Sequence, residues 1–257
     1  MKPSGTTIDC HVHLHPAYDD RTSCAERLLW GADRVGIERL CLSMGMRRSY
    51  LLPNPLEDMY LHNDDVEAVV ERWPDRFIGF CFLQPSYLRQ SLEELRRRVA
   101  NGPFRAVKML WDMFCDEPNY DPIADAAGEL GVPIQQHTWH KVPGNYPRES
   151  EAWRLAKLAK RHPRTTFLCA HTGGNWELGI REIADTPNVL ADICGGDPET
   201  GYAEMAVQWL GVERVVYGSD ALGRSFASQL AKVHGADISD DEKRSILSGN
   251  MRRVLGL

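Results

Sequence analysis

Eight short runs rich in β-branched, aromatic and other apolar residues recur along the chain, each followed by a helix-like stretch. They are TTIDCHV, RLCLSM, RFIGFCFL, FRAVKML, VPIQQHT, TTFLCAH, NVLADIC and RVVYGSD. Most are nearly continuous apolar runs rather than strict alternations, as expected of parallel strands covered on both faces. A strand–helix unit repeated eight times predicts an α/β fold, the (β/α)8 TIM barrel, which uses about 250 residues as one domain. No low-complexity linker, charge block or composition shift divides the sequence, so a single domain over residues 1–257 is expected. A doubly wound open sheet would carry G-x-G-x-x-G after its first strand, and that motif is absent.

The segments between the runs carry helix punctuation. In YDPIADAAGELGVP, Asp121 is placed to cap, Pro122 takes the first helical position, and Ile123, Ala126, Ala127 and Leu130 form one stripe that Gly131 ends. Leu155, Leu158 and Ala159 form a second stripe, and Ser239 with Glu242 has capping-box spacing for a last helix. The basic run Arg96-Arg97-Arg98 follows Glu93 and Glu94 and reads as a solvated helix face. The long connection GMRRSYLLPNPLED after the second strand reads as an active-site loop.

A net charge of −6 argues against nucleic acid as the partner. No apolar stretch reaches membrane-spanning length, and the start MKPSGTT has no signal-peptide core, so no membrane association is expected. Seven cysteines with no C-x-x-C, most of them in apolar runs, point to buried thiols in a reducing cytoplasm. Loops containing Trp and Met leave room for a homodimer.

Barrel enzymes build their sites at the C-terminal ends of the strands. The first run ends in His11 and His13, the fourth near Lys108, the fifth in His137, the sixth in His171 and the eighth in Asp220. Residues two apart on a strand share a face, so His11 and His13 can hold one ion, with His137 and Asp220 completing its shell. Three neutral imidazoles and a carboxylate suit one divalent ion: Zn2+, with Mn2+ or Fe2+ as alternatives. Such an ion lowers the pKa of bound water toward ~7. Asp220 would then shuttle the proton and His171 would stabilise developing charge. Around these residues, Lys108, Trp111 and Arg47 are the candidates for binding an anionic small-molecule substrate. Trp139 and Arg224 are further residues near strand ends, His15 and His140 read as loop residues, and Asp9 reads as ordering backbone.

The motifs IDCHVH, QQHT, LCAHTGG and VYGSD, in this order, resemble the amidohydrolase superfamily. Within it they are most similar to the amidohydrolase-related group that includes aminocarboxymuconate semialdehyde decarboxylase, and the closing ILSGNMRRVLGL resembles that group's last helix. The resemblance implies a distorted (β/α)8 barrel with His11, His13, His137 and Asp220 as ligands and His171 as a catalytic residue. In phosphotriesterase-like members a carboxylated lysine at the place of Lys108 bridges two metals. A second ion, with His171 as its ligand, is therefore expected only if Lys108 is carboxylated. The leading expectation is a hydrolase that cleaves a small ester, lactone or amide through metal-activated water. The alternative is a non-oxidative decarboxylase, a lyase acting on a small carboxylic acid at the same ion. A non-catalytic barrel with a structural metal is the third.

Overall fold

The computed structural model describes residues 7–15, 20–44 and 55–257. Its strands are β1 (Thr7–Leu14), β2 (Ile37–Met44), β3 (Phe77–Leu83), β4 (Ala106–Met109), β5 (Ile134–His137), β6 (Phe167–Ala170), β7 (Val189–Asp192) and β8 (Val215–Val216). Each pairs in parallel with the next, in the order β1 to β8. The sheet closes on itself through Cys10 N–H to the Tyr217 carbonyl at 3.0 Å, Asp220 N–H to His11 at 2.8 Å and His13 N–H to Ala221 at 2.8 Å. Helices α1 (Arg21–Val35), α2 (Leu56–Arg72), α3 (Leu88–Leu95), α4 (Asp121–Leu130), α5 (Ala152–Arg161), α6 (Trp176–Ile183), α7 (Tyr202–Leu210) and α8 (Phe226–His234) follow the strands in turn. Two more, α9 (Asp240–Arg244) and α10 (Asn250–Leu255), close the chain, and the whole is the (β/α)8 barrel that the alternation predicts.

Two apolar layers account for the continuous strand runs. Val12, Leu14, Leu42 and Phe82 pack outward against helix residues such as Leu28, Val66 and Leu155. Ile8, Cys10, Phe80, Ala106, Leu168 and Val216 fill the barrel, and Met251 and Leu255 of α10 join them from below. That plug leaves the opposite end, where the strands finish, for chemistry. All seven cysteines are free and buried. Among the described residues no helix is long and apolar enough to cross a membrane.

Local signals hold with three exceptions. The capping box at Ser239 and Glu242 forms, and Gly131 ends α4 in the left-handed conformation at φ 67°. Asp121, however, is the first residue of α4 rather than its cap, and its carboxylate accepts from Arg161 and His162 of the α5 end instead. Leu130 falls off the buried stripe at 41% exposure. The third correction is larger. Arg98 is not solvated but fully buried, bonded to Glu94, Glu67 and Asp64. The helix widens after Leu95 into a π turn over Arg96–Ala100, and the pairing with Glu94 four residues earlier is internal to the fold.

Candidate metal centre and cavity

β1 gains one residue on β2 between Asp9 and Val12, a bulge of the kind that re-aims side chains near active sites. Beyond it, His11 and His13 alternate with the outward Val12 and Leu14 and so turn inward. Asp9 orders the backbone there, accepting from the His11 and Ser219 N–H groups at 3.0 and 2.9 Å. His11 Nδ1 lies 2.7 Å from the buried carboxylate of Asp192 at the end of β7. That partner makes Nδ1 the protonated nitrogen and leaves a lone pair on Nε2. His13 Nδ1 lies 3.2 Å from the Ser43 hydroxyl.

The two Nε2 atoms consequently face each other at 3.0 Å. Asp220 Oδ1 stands 4.0 Å from the His11 atom and 3.6 Å from the His13 atom. Three donors around one point, with both other imidazole nitrogens engaged, form an arrangement that a cation relieves, and this set fits a divalent metal. Lys108 is already drawn to it. It is fully buried, with Nζ 2.8 Å from His11 Nε2 and 3.0 Å from Gln135 Oε1. A lysine proton and a metal would therefore compete for one lone pair.

His171 and Asp220 both hold positive φ, 62° and 61°, which is uncommon for residues other than glycine and clusters at functional sites. His171 Nδ1 meets the Cys194 thiol at 3.2 Å. The adjoining turn must be glycine. Gly195 has φ 66°, and a Cβ there would lie 2.5 Å from His171 Nδ1.

His137 stands beside the three donors rather than among them. Its ring centroid is 5.0 Å from that of His171, and its Nε2 lies 3.0 Å from Glu149 Oε1. Nδ1 is the nitrogen left for an ion. Glu149 is buried, and it also accepts from the Lys141 ammonium and from the Tyr146 N–H at 3.0 Å.

Burial sets the charge states. It pushes the imidazole of His13 well below its usual range, helped by Lys108 and His11. His171 is lowered likewise by burial and then by His11 and His137. His137 is pushed down to about 4 by burial, against the pull of Glu149. Neutral imidazoles are the form that binds metal. Burial raises the Asp220 carboxyl and lowers the Lys108 ammonium. Burial raises the Asp192 carboxyl, but His11, the Cys194 thiol and Lys108 together hold it below the ordinary carboxylate range.

Above the cluster opens a cavity of about 370 Å3. His13, His137, His171 and Asp220 line its polar side, Trp111, Trp139 and Tyr146 supply aromatic wall, and Lys141 and Arg224 contribute cations. Trp111 packs on His137 at 4.4 Å and Trp139 on His171 at 4.8 Å between ring centroids. Lys108 lies behind the wall, held by His11 and Gln135, rather than on it. Arg47 and most of the loop that carries it fall outside the described residues. His15 is exposed at the cavity, whereas His140 pairs with Glu151 at 3.5 Å.

Asp192, Cys194, Glu149, Lys141 and Tyr146 were not among the candidates read from sequence. Asp192 had a signal, an acidic residue at the end of the seventh apolar run. Glu149 had none, because a loop residue twelve positions after its partner has no forced spacing.

A family profile described as Amidohydrolase matches residues 8–257. A 2-amino-3-carboxymuconate-6-semialdehyde decarboxylase of Dictyostelium discoideum is 24% identical over 237 residues, covering 76% of this chain and 65% of that protein. This chain thus spans about two thirds of the length of that relative. The solved structure of 2,6-dihydroxybenzoate decarboxylase complexed with 2,6-dihydroxybenzoate superimposes with a TM-score of 0.78 at 17% identity, over 100% of this chain and 99% of that one. A dihydroxybenzoic acid decarboxylase from Polaromonas sp. JS666, with bound manganese and 2-nitroresorcinol, gives a TM-score of 0.75 at 16% identity, over 98% and 97%. These structural likenesses establish the fold. The expectation of a hydrolase acting on an ester, lactone or amide is corrected by these matches, since all three named proteins are decarboxylases. The physical reason for the error is that one His/Asp donor set serves both water attack and carbon–carbon cleavage.

Proposed function

The chain belongs to the amidohydrolase family, and we propose that it is a metal-dependent non-oxidative decarboxylase of a small, aromatic or unsaturated carboxylic acid. The observation that carries this reading is the cavity, aromatic on its walls and opening onto the His13, His171 and Asp220 cluster. The relatives support it, among them enzymes named for decarboxylating dihydroxybenzoate. His11, His13, His137 and Asp220 would hold one divalent ion, and imidazole with carboxylate suits zinc or manganese. Bound there, the ion would polarise a substrate oxygen next to the bond that breaks.

The residues supply the rest. The indoles of Trp111 and Trp139 hold a flat ring by its faces, and Lys141 and Arg224 attract its anionic groups. When the carbon–carboxylate bond breaks, its electron pair stays on the ring carbon and carbon dioxide leaves. That carbon then takes one proton, so no oxidant or reductant is required. Asp220, which lines the cavity beside the two histidine Nε2 atoms, is the proton carrier. His171, held through Nδ1 by Cys194, steadies the charge that develops.

The test uses metal-loaded protein and a panel of hydroxylated aromatic and unsaturated acids labelled with 13C at the carboxyl. Labelled carbon dioxide should appear together with an equal amount of the decarboxylated product, stop on chelation and resume with manganese or zinc. A metal-saturated protein that releases none from any of them would contradict the reading.

A further inference from the structure

The loop from β5 to α5 is built to deliver one carboxylate. Asn145 ties it internally, accepting from the Lys141 N–H at 2.8 Å and donating to the Trp139 carbonyl at 2.6 Å. Arg148 turns the chain at φ 63°, and Glu149 follows it into the interior. The exposed loop therefore ends in a buried anion, which costs stability unless the charge is paired and fully hydrogen-bonded. It is. One oxygen faces His137 Nε2 at 3.0 Å, and the other accepts from Lys141 and from the Tyr146 N–H at 3.0 Å.

We infer that Glu149 is a positioning residue for the metal centre: by accepting the Nε2 proton of His137 it fixes the tautomer and turn of that ring, so that Nδ1 is the atom offered to the ion. The inference rests on the ligand set proposed above. The same carboxylate anchors Lys141 and Tyr146, both on the cavity wall, so one group joins the metal ligand to the substrate-facing loop. A carboxylate bonded to a ligating histidine raises the basicity of the ligand, and losing such a partner costs about 10- to 100-fold in metal affinity.

The probe is cadmium-113 bound to protein carrying 15N-labelled histidine, with no substrate present. In the unaltered chain, cadmium coupling to His137 should appear at Nδ1, with a protonated Nε2. Glu149→Gln keeps the size of the side chain and removes its charge. It should weaken cadmium binding about 10- to 100-fold and disturb the His137 signal while His11 and His13 keep theirs. A role confined to holding the loop would leave the His137 coupling unchanged. Coupling at His137 Nε2, or an unmoved affinity in a folded Glu149→Gln protein, would overturn the assignment to Glu149 alone. Absence of cadmium from the unaltered chain would overturn the metal centre itself and this role with it.

Discussion

Asp220→Asn should lower turnover by about 10²- to 10⁴-fold at saturating metal, the range that general acid–base groups contribute. The substitution preserves shape, so the melting temperature and circular dichroism should stay close to those of the parent. Two features make this residue the sensitive one. Asp220 Oδ1 lies within 4.0 Å of both histidine Nε2 atoms, and its side chain also lines the cavity. Burial raises its carboxyl, and a carboxyl can take up and release a proton where an amide cannot. Assays run at rising metal concentration separate weakened binding from lost proton transfer. Activity within a few-fold of the parent would remove Asp220 from the proton path.

Arg98→Leu should destabilise the protein by about 3–5 kcal/mol, the usual cost of stripping one partner from a buried ion pair. At about 2–4 °C per kcal/mol for a domain of this size, the melting temperature should fall by roughly 6–20 °C. Arg98 is fully buried and holds Glu94, itself nearly buried, together with Glu67 and Asp64. Leucine fills much of the space but leaves Glu94 with only Asn63 Nδ2 at 3.1 Å and the more distant Arg97. Because Asn63 also bonds the Phe82 backbone on β3, the damage should reach the barrel wall. A melting temperature unchanged within 2 °C or so would show that the cluster is replaceable by apolar packing, as some buried ion networks are.

The barrel could be read from sequence because its strands are buried on both faces and so announce themselves as apolar runs. The ligand candidates could be read because strand ends have forced positions. His11 and His13 share a face by their spacing, His171 follows directly on β6, and Asp220 comes four residues after β8. What sets the chemistry of those residues was less visible. Asp192 fixes the His11 tautomer from across the barrel, a pairing 181 positions apart in sequence. Glu149 reaches His137 only through the folding of a loop. The position of Lys108 on a strand was plain, but the depth at which it sits, bonded to His11 and Gln135, depends on the closed barrel. Arg98 looked solvated because a charge run usually is, and only the widened turn after Leu95 brings it inside. Hydrolysis and decarboxylation could not be separated from the ligand types, because the distinction lies in the shape of the cavity and the bond presented to it.

The account turns on one divalent ion held by His11, His13, His137 and Asp220. Metal per chain, measured by elemental analysis on protein purified without chelator, tests it most directly, with His13→Ala alongside. His13 is the partner to remove because its side chain is partly exposed and its Nδ1 meets the neutral Ser43 hydroxyl, so its loss leaves the buried Asp192 and Glu149 with their imidazole partners. The expected result is about one ion in the parent and close to none in the variant. A parent without metal, or a variant that keeps its ion, would contradict the site. About two ions in the parent would contradict the single-ion centre and point to a carboxylated Lys108 between them.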